Sequence, residues 1–496
     1  MVRGGVEEGG RVKVCLINPP FLFPRPRDAV FSHCLGLRSL SAHLRARGHE
    51  VVFVDALFAG FQRVRREDGG FVVGLSPEET AARVPEDVEL VGVSAPFSQS
   101  ARAVHELLEV LADRLPAARM VLGGVYPAAQ PESALRSRAH AIVVGEGETA
   151  LARLAAGEDP QTIPGVHTQE TRVDDRFTPA ERVSDLDTLL PPDRDIPSFD
   201  SYLALSPRGA RGRVASILTS RGCPYDCEYC SVHPVHGWGF RGRSAGHVLK
   251  EVGALVERHG VRALEIEDDN LTWDRDRAAE IFEGFVRLRE GGAELTWRPP
   301  NGVRVDTIDG EMIDLMVRSG CTELVFGIEH GDPAMLARMG KNLDLEKAAA
   351  VVESSVKRGV PRVTLFYMVG YPGEDVRSFE IGLEYLRRVR SFGGAVNVSP
   401  NLVQPYPGTR LLDRCRAEGW RIDPAFEHPL ERPGLMSTRR VVGITGPTLD
   451  LKEILRRREL VMRMFGPRWK SAAKRFVPAR VLPYLRHSPS TTWRDL

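Results

Sequence analysis

Three cysteines within one short loop govern what this chain can become. Cys223, Cys227 and Cys230 lie in S-R-G-C-P-Y-D-C-E-Y-C-S, spaced C-x3-C-x2-C. Thiolates at this density are soft ligands that select iron–sulfur clusters, zinc or copper(I). A structural zinc site wants four ligands, and a complete iron–sulfur site usually wants four cysteines. The remaining cysteines, Cys15, Cys34, Cys321 and Cys415, are distant in sequence. A cubane held by three thiolates leaves one iron without a protein ligand, free to bind a small molecule and pass it an electron. The competing arrangement is a zinc knuckle completed by His233 or His236. A disulfide framework fits poorly, because 7 scattered cysteines in 496 residues suit a reduced chain.

The residues after Arg213 predict a barrel around that loop. Val214–Thr219 reads as a strand leading straight into the cysteines. Further strands are expected at Ala263–Glu267, Glu294–Trp297, Glu323–Phe326, Arg362–Met368 and Ala395–Leu402, each preceded by a helical pattern, with a last helix over Thr409–Glu418. This alternation describes a partial (βα)6 barrel, whose chemistry gathers at the C-terminal strand ends.

The first 156 residues alternate differently. Strands are expected at 11–17, Glu50–Val54, Glu89–Ser94, Arg119–Leu122 and Ala141–Val144, with helices between them, which gives a doubly wound, flavodoxin- or Rossmann-like parallel sheet. Ligands of such sheets sit beyond the carboxyl ends of the strands. The loops there are rich in small residues: Asn18, Pro19 and Pro20; Ser94 and Ala95; Gly123 and Gly124; Gly145, Glu146 and Gly147. They serve equally as tight turns or as a rim on which a flat ligand lies. The expected units are 11–156, a Pro- and Asp-rich connector at 157–212 anchored by Leu189, Ile196, Phe199 and Tyr202, the barrel at 213–420, and a basic, partly helical extension at 421–496.

The triad, with the aromatic Tyr229 just before its last cysteine, resembles the radical S-adenosylmethionine (SAM) superfamily. That resemblance implies a [4Fe–4S] cluster on Cys223, Cys227 and Cys230, with SAM chelated by the open iron and cleaved to a 5′-deoxyadenosyl radical. It also implies an acidic partner for the SAM amino group at Asp268 or Asp269, in E-D-D-N. Glu329, in F-G-I-E-H-G, would bond a SAM hydroxyl or amino group, although His330 stands where relatives carry serine. Backbone near Gly370, in M-V-G-Y-P-G-E, would meet adenine. The segments L-A-R-M-G-K and Q-P-Y-P-G-T also follow the pattern.

The N-terminal runs V-G-V-S, L-G-G-V-Y-P and V-V-G-E-G-E resemble the cobalamin-binding domain fused ahead of many radical SAM cores. No D-x-H-x-x-G motif is present, and His33, His43 and His49 lie in other contexts, so no histidine is expected beneath the cobalt. The loop after the first strand, or the insert at 56–87, would cover that face.

The resemblance implies a methyltransferase acting on an unactivated carbon or phosphorus centre of a small natural-product intermediate, in antibiotic-type biosynthesis. Its rivals are a cobalamin-binding cyclase, oxygenase or rearrangement enzyme and, more remotely, a methylthiotransferase. A flavodoxin- or ferredoxin-type electron donor is implied as well. Arg241 and Arg243 are placed to bind a carboxylate or phosphate, or else SAM or a cobalamin side chain. A formal charge of +1 gives no case for bulk nucleic-acid binding. No apolar run suits a signal peptide or a membrane span, and the expected compartment is cytoplasmic.

Overall fold

The structure, a computed structural model, describes residues 10–29, 34–67, 70–171, 177–196, 199–204, 213–432, 441–446 and 449–465. His33, the first nine residues, parts of the connector and the tail beyond Phe465 lie outside the described residues.

The apolar run at Lys13–Asn18 has no solvent face and becomes a central strand. Parallel strands line up in the order Glu50–Asp55, Lys13–Asn18, Leu90–Ser94, Arg119–Gly123, Ala141–Val143. Leu37 and Leu151 cover one face of the sheet, and Val104 and Leu107 the other. The chain leaves Lys13–Asn18 in one direction and returns on its other side at Leu90–Ser94. That reversal makes the crevice at Asn18 and Ser94 the switch point. Cys15 is wholly buried in this sheet, where burial pushes its thiol up to about 12.

Two additions were not legible in the periodicity. Val166–His167, expected in the connector, adds an antiparallel edge strand to Ala141–Val143. Phe21–Phe23 pairs with Gly70–Val73, which pairs with Val64–Glu67. The loop after the first strand and the insert at 56–87, expected as alternatives, therefore form one small sheet.

The barrel strands are Val214–Ile217, Ala263–Ile266, Thr296–Arg298, Leu324–Glu329, Val363–Val369 and Val396–Leu402. They pair in parallel as two three-stranded halves. Isolated bridges at Trp297 to Cys321 and Val303 to Phe326 join the halves. Each barrel helix starts on a side-chain cap: Ser244, Asp274, Asp309, Asp344, Asp375 and Thr409 each accept a first-turn N–H.

The connector binds both units. Phe199 packs into the barrel core, while Tyr202 packs with Phe21 and Phe23 and stacks on Phe58 at 3.9 Å. Arg194 donates to Ser216 O and Glu251, and Asp193 accepts from Ser41.

The expected C-terminal helix, Leu451–Phe465, runs along the last strand. Arg458 Nε donates to Pro400 O at 3.2 Å, which blunts the free sheet edge. Arg457, 2% exposed, donates to Glu374 at 2.7 Å and to Glu453 at 2.8 Å, fastening the helix to the turn after the fifth strand. No helix among the described residues is long and apolar enough to cross a membrane.

Candidate functional site

The cysteine loop leaves the first barrel strand and is gripped from several sides. At its base, Asp268 accepts from Thr219 N at 2.6 Å, Thr219 Oγ1 at 2.5 Å and Ser220 Oγ at 2.6 Å. Gly222 has φ +80, and a Cβ there would lie 2.5 Å from Gly239 O, so only glycine fits the bend. Further on, Glu228 N donates to Met339 O, and Leu411 N donates to Glu228 O. Tyr371 Oη donates to Glu228 at 3.1 Å. Met339 of L-A-R-M-G-K and Leu411, just past Q-P-Y-P-G-T, thus bracket the loop, which also closes on itself through Cys230 N donating to Cys227 O.

Cys223, Cys227 and Cys230 are free thiols, partly exposed on this loop. Burial pushes the Cys230 thiol up to about 12, so a cation is needed to keep it ionised. Asn270 Nδ2 is 3.7 Å from Cys223 Sγ, and its Oδ1 is buried without a partner, an orphan acceptor beside the triad.

The zinc alternative loses its fourth ligand. His233 stacks on Trp238 at 3.8 Å and bonds Cys223 O at 3.2 Å, while His236 Nδ1 is 3.1 Å from Glu146. Among the described residues, no group of three or more His, Cys, Asp or Glu side chains is placed to hold one metal ion. Thiolates spread over different irons of a cluster need no such convergence, and the donor set fits an iron–sulfur centre.

The acidic pair divides. Asp268 is 1% exposed and accepts three hydrogen bonds from Thr219 and Ser220, so it clamps the base of the loop. Asp269 spends one oxygen on Gly222 N at 3.2 Å and lines a cavity. Burial raises its carboxyl above the ordinary range, opposed by His236 and the Gly222 N–H.

Glu329 ends the fourth strand with φ +69, rare for a residue with a side chain, at a break in strand register. Lys341 Nζ donates to it at 3.1 Å and lies 3.5 Å from Tyr229 Oη, so Tyr229, Glu329 and Lys341 meet at one place. His330 takes no part, because its ring is wholly buried behind the strand against Tyr367. Gly370 has φ +87 and turns over Ile454 of the C-terminal helix.

On the N-terminal rim, Ser94 and Gly123 pair at the strand ends. Gly124 has φ +105, and a Cβ there would meet Ala95 O at 2.7 Å, whereas nothing lies within 4 Å of a Cβ on Gly123. This leaves an open, low rim that fits a broad ligand. Asn18 donates to Asp55 at 2.9 Å, which fixes the end of the first strand beside Pro19. Gly145, φ +105, turns the chain so that Glu146 points at the barrel.

Glu146 departs from expectation. It receives two hydrogen bonds from Arg241, at 3.0 and 2.6 Å, with His236 at 3.1 Å and Arg221 at 3.4 Å. Burial alone would raise its carboxyl; the bonds from His236 and Arg241 and the charge of Arg221 hold it far below the usual range. It fastens the two domains together and has no oxygen left for a cofactor. Arg241 is used up there, and Arg243 by Glu251 and Leu218 O, so neither is a free anion receptor. Arg221 stands inside the cysteine motif, yet its role was invisible because both its carboxylate partners are on the other domain.

Between the domains lies a cavity of about 420 Å3. Phe97, Gln99 and Val125 form its N-terminal wall, and Val235, Asp269 and Tyr406 its barrel wall. Phe97 meets Phe21 edge-on at 6.0 Å, so the small Phe21–Phe23 sheet supports this wall.

Comparison with known proteins agrees with this geometry. The radical SAM superfamily model matches residues 217–386 and the B12 binding domain model residues 29–155. Cytidylyl-2-hydroxyethylphosphonate methyltransferase of Streptomyces wedmorensis is 27% identical, over 83% of this chain and 83% of the relative. An uncharacterized methyltransferase of Pyrococcus horikoshii is 26% identical, over 69% of this chain and 74% of the relative. In fold, the chain matches the radical SAM methyltransferase TsrM of Kitasatospora setae, solved with cobalamin and a [4Fe–4S] cluster. The TM-score is 0.65 at 20% identity, over 83% of this chain and 77% of that one.

Proposed function

This chain belongs to the radical SAM superfamily, with a B12-binding domain ahead of its radical SAM domain, and from that premise we propose that it methylates an unactivated carbon or phosphorus centre of a small natural-product intermediate. It is a cobalamin-dependent radical SAM enzyme, and its cofactors are a [4Fe–4S] cluster, SAM and cobalamin. When bound, the cluster with SAM supplies one-electron radical chemistry and cobalamin supplies methyl-group chemistry.

Cys223, Cys227 and Cys230 would hold the cluster. Asp269, Glu329, Tyr229 and the backbone at Gly370 would hold SAM. Asn18, Pro19, Ser94, Gly123, Gly124, Gly145 and Gly147 would border cobalamin. The chain's own work is placement: Asp268 fixes the loop base, Lys341 fixes the Glu329 carboxyl, and Phe97 and Tyr406 face each other across the cavity from the two units.

The observation that carries this reading is the cavity between the domains. Its volume suits a small molecule, and its walls come from both cofactor-binding units, as transfer between the two cofactors requires. The relative that acts on a cytidylyl phosphonate supports a small polar substrate, and an external flavodoxin- or ferredoxin-type protein would supply electrons.

The test is protein purified without oxygen, loaded with iron, sulfide and cobalamin, and given SAM with a trideuterated methyl group and cytidylyl-2-hydroxyethylphosphonate or related small phosphonates. The expected result is a product carrying the labelled methyl. Consumption of substrate with 5′-deoxyadenosine release but no added methyl overturns methyl transfer in favour of cyclisation or rearrangement.

A further inference from the structure

One arginine joins the rim of the N-terminal domain to the cysteine loop. Arg221 lies two residues ahead of Cys223 and is 9% exposed. Its Nη2 donates to Glu148 at 2.5 Å, and its Nη1 is 3.4 Å from Glu146. Both carboxylates belong to the Gly145–Glu148 turn, at the end of the last parallel strand of the cobalamin-type sheet.

Neither side of this joint can shift alone. Glu146 is fixed by Arg241, His236 and Val183 N, and Glu148 by Ser39 Oγ at 2.9 Å. On the other side, Arg221 pairs with Arg241 in a two-stranded ribbon, and the next residue is Gly222, whose N–H donates to Asp269. Movement of the rim therefore reaches Cys223 most directly through Arg221, two residues away, while Arg241 and His236 hold the same Glu146 from the barrel side. An arginine suits this task because its planar fork addresses two carboxylates at once, which a lysine ammonium does not.

We propose that Arg221 is a positioning residue that couples the two cofactor sites, so that cobalamin and the iron–sulfur cluster bind cooperatively. The proposal rests on the cofactor assignment above and goes beyond it. A ligand that orders the rim narrows the positions open to the cysteine loop, and by linkage the cluster must favour cobalamin by the same factor.

The test needs no substrate. Hydroxocobalamin is titrated anaerobically into full-length protein with and without its reconstituted cluster, and binding is followed by absorbance. In the wild type the cluster tightens cobalamin binding by at least about fivefold. In Arg221→Ala and in Glu148→Gln the ratio falls to within about twofold of one, and Arg221→Lys lies between. A wild-type ratio of one, or an unchanged ratio in the variants, overturns the proposal. An Arg221 with only a structural role would lower the melting temperature and leave the ratio intact, which also overturns it. Should Arg221→Ala not fold, Arg221→Lys and Glu148→Gln decide. Coupled binding without methyl transfer would remove the proposed reaction and leave this inference standing, whereas a wild type that takes up only one of the two cofactors removes both.

Discussion

Asp268 accepts both the backbone N–H and the hydroxyl of Thr219, at 2.6 and 2.5 Å, across 49 residues of sequence. The bond ties the second barrel strand to the base of the cysteine loop with no solvent between. Removing the carboxylate strands three buried donors. Asp268→Ala should lower unfolding free energy by about 3 kcal/mol and deplete iron. Asp269→Asn should leave stability near wild type and weaken SAM binding about tenfold, the scale of one charge-assisted hydrogen bond. Urea unfolding separates the two residues. An equal loss of unfolding free energy at both positions would refute the division.

The triad stands on a loop whose conformation is imposed by its surroundings and not by the cysteines. Each of Cys223→Ala, Cys227→Ala and Cys230→Ala should therefore fold, with circular dichroism and hydroxocobalamin uptake still measurable, yet lose the visible charge-transfer absorption and the bound sulfide of protein made without oxygen. A variant that kept full iron and sulfide would show that its cysteine is not a ligand.

Arg457 and Glu374 are 2% and 1% exposed and 2.7 Å apart. Truncating one partner leaves the other as an uncompensated buried charge. Arg457→Ala should cost about 3–5 kcal/mol, while Arg457→Met paired with Glu374→Gln should recover much of that loss. Urea midpoints of the single and double variants check this. A single-variant cost below about 1 kcal/mol would mean that the pair is solvated.

Acid should loosen the joint between the domains. Burial pushes the Glu146 carboxyl up, but the bonds from His236 and Arg241 and the charge of Arg221 outweigh it and hold it far below its ordinary 4.5, and Glu453 is held down to about 2 chiefly by its bond from Arg456. Both folded-state values lie below the unfolded one. Their stabilisation is therefore complete above about pH 4.5 and is lost as pH falls through the folded values. The Glu146 and Glu453 contributions should be flat above that point and decline below it. They come on top of an earlier decline from about pH 6.5, as the buried His43 and His105, each lowered to about 4 by burial, take up protons. Glu146→Gln should flatten only the part below about pH 4.5. Thermal melts from pH 7 to 3 measure this, and an identical slope in the variant would contradict it.

Some of this protein is written locally. The barrel helices were legible because apolar periodicity needs only a dozen neighbouring residues, and the structure adds a local cap to each, as at Asp274 and Asp344. The cysteine spacing and the glycines at positions 123, 124 and 145 were equally local, since each answers to chemistry within a few residues. The short Phe21–Phe23 strand was not legible, because its partner Gly70–Val73 lies across an insert and three residues carry no period.

What the sequence by itself determined is the inventory: three thiols on a loop after a strand, a low rim at the ends of a parallel sheet, and the order of the two units. Only the tertiary structure decided which charges are spent. Asp268 and Asp269 are adjacent and chemically identical, yet one accepts from Thr219 and Ser220 while the other faces the cavity. Glu146 and Arg241 read separately as ligand contacts, and folding brings them within 2.6 Å of each other across 95 residues. A carboxylate's availability depends on which donors the fold places beside it, and those donors come from segments too distant in sequence for any local pattern to record.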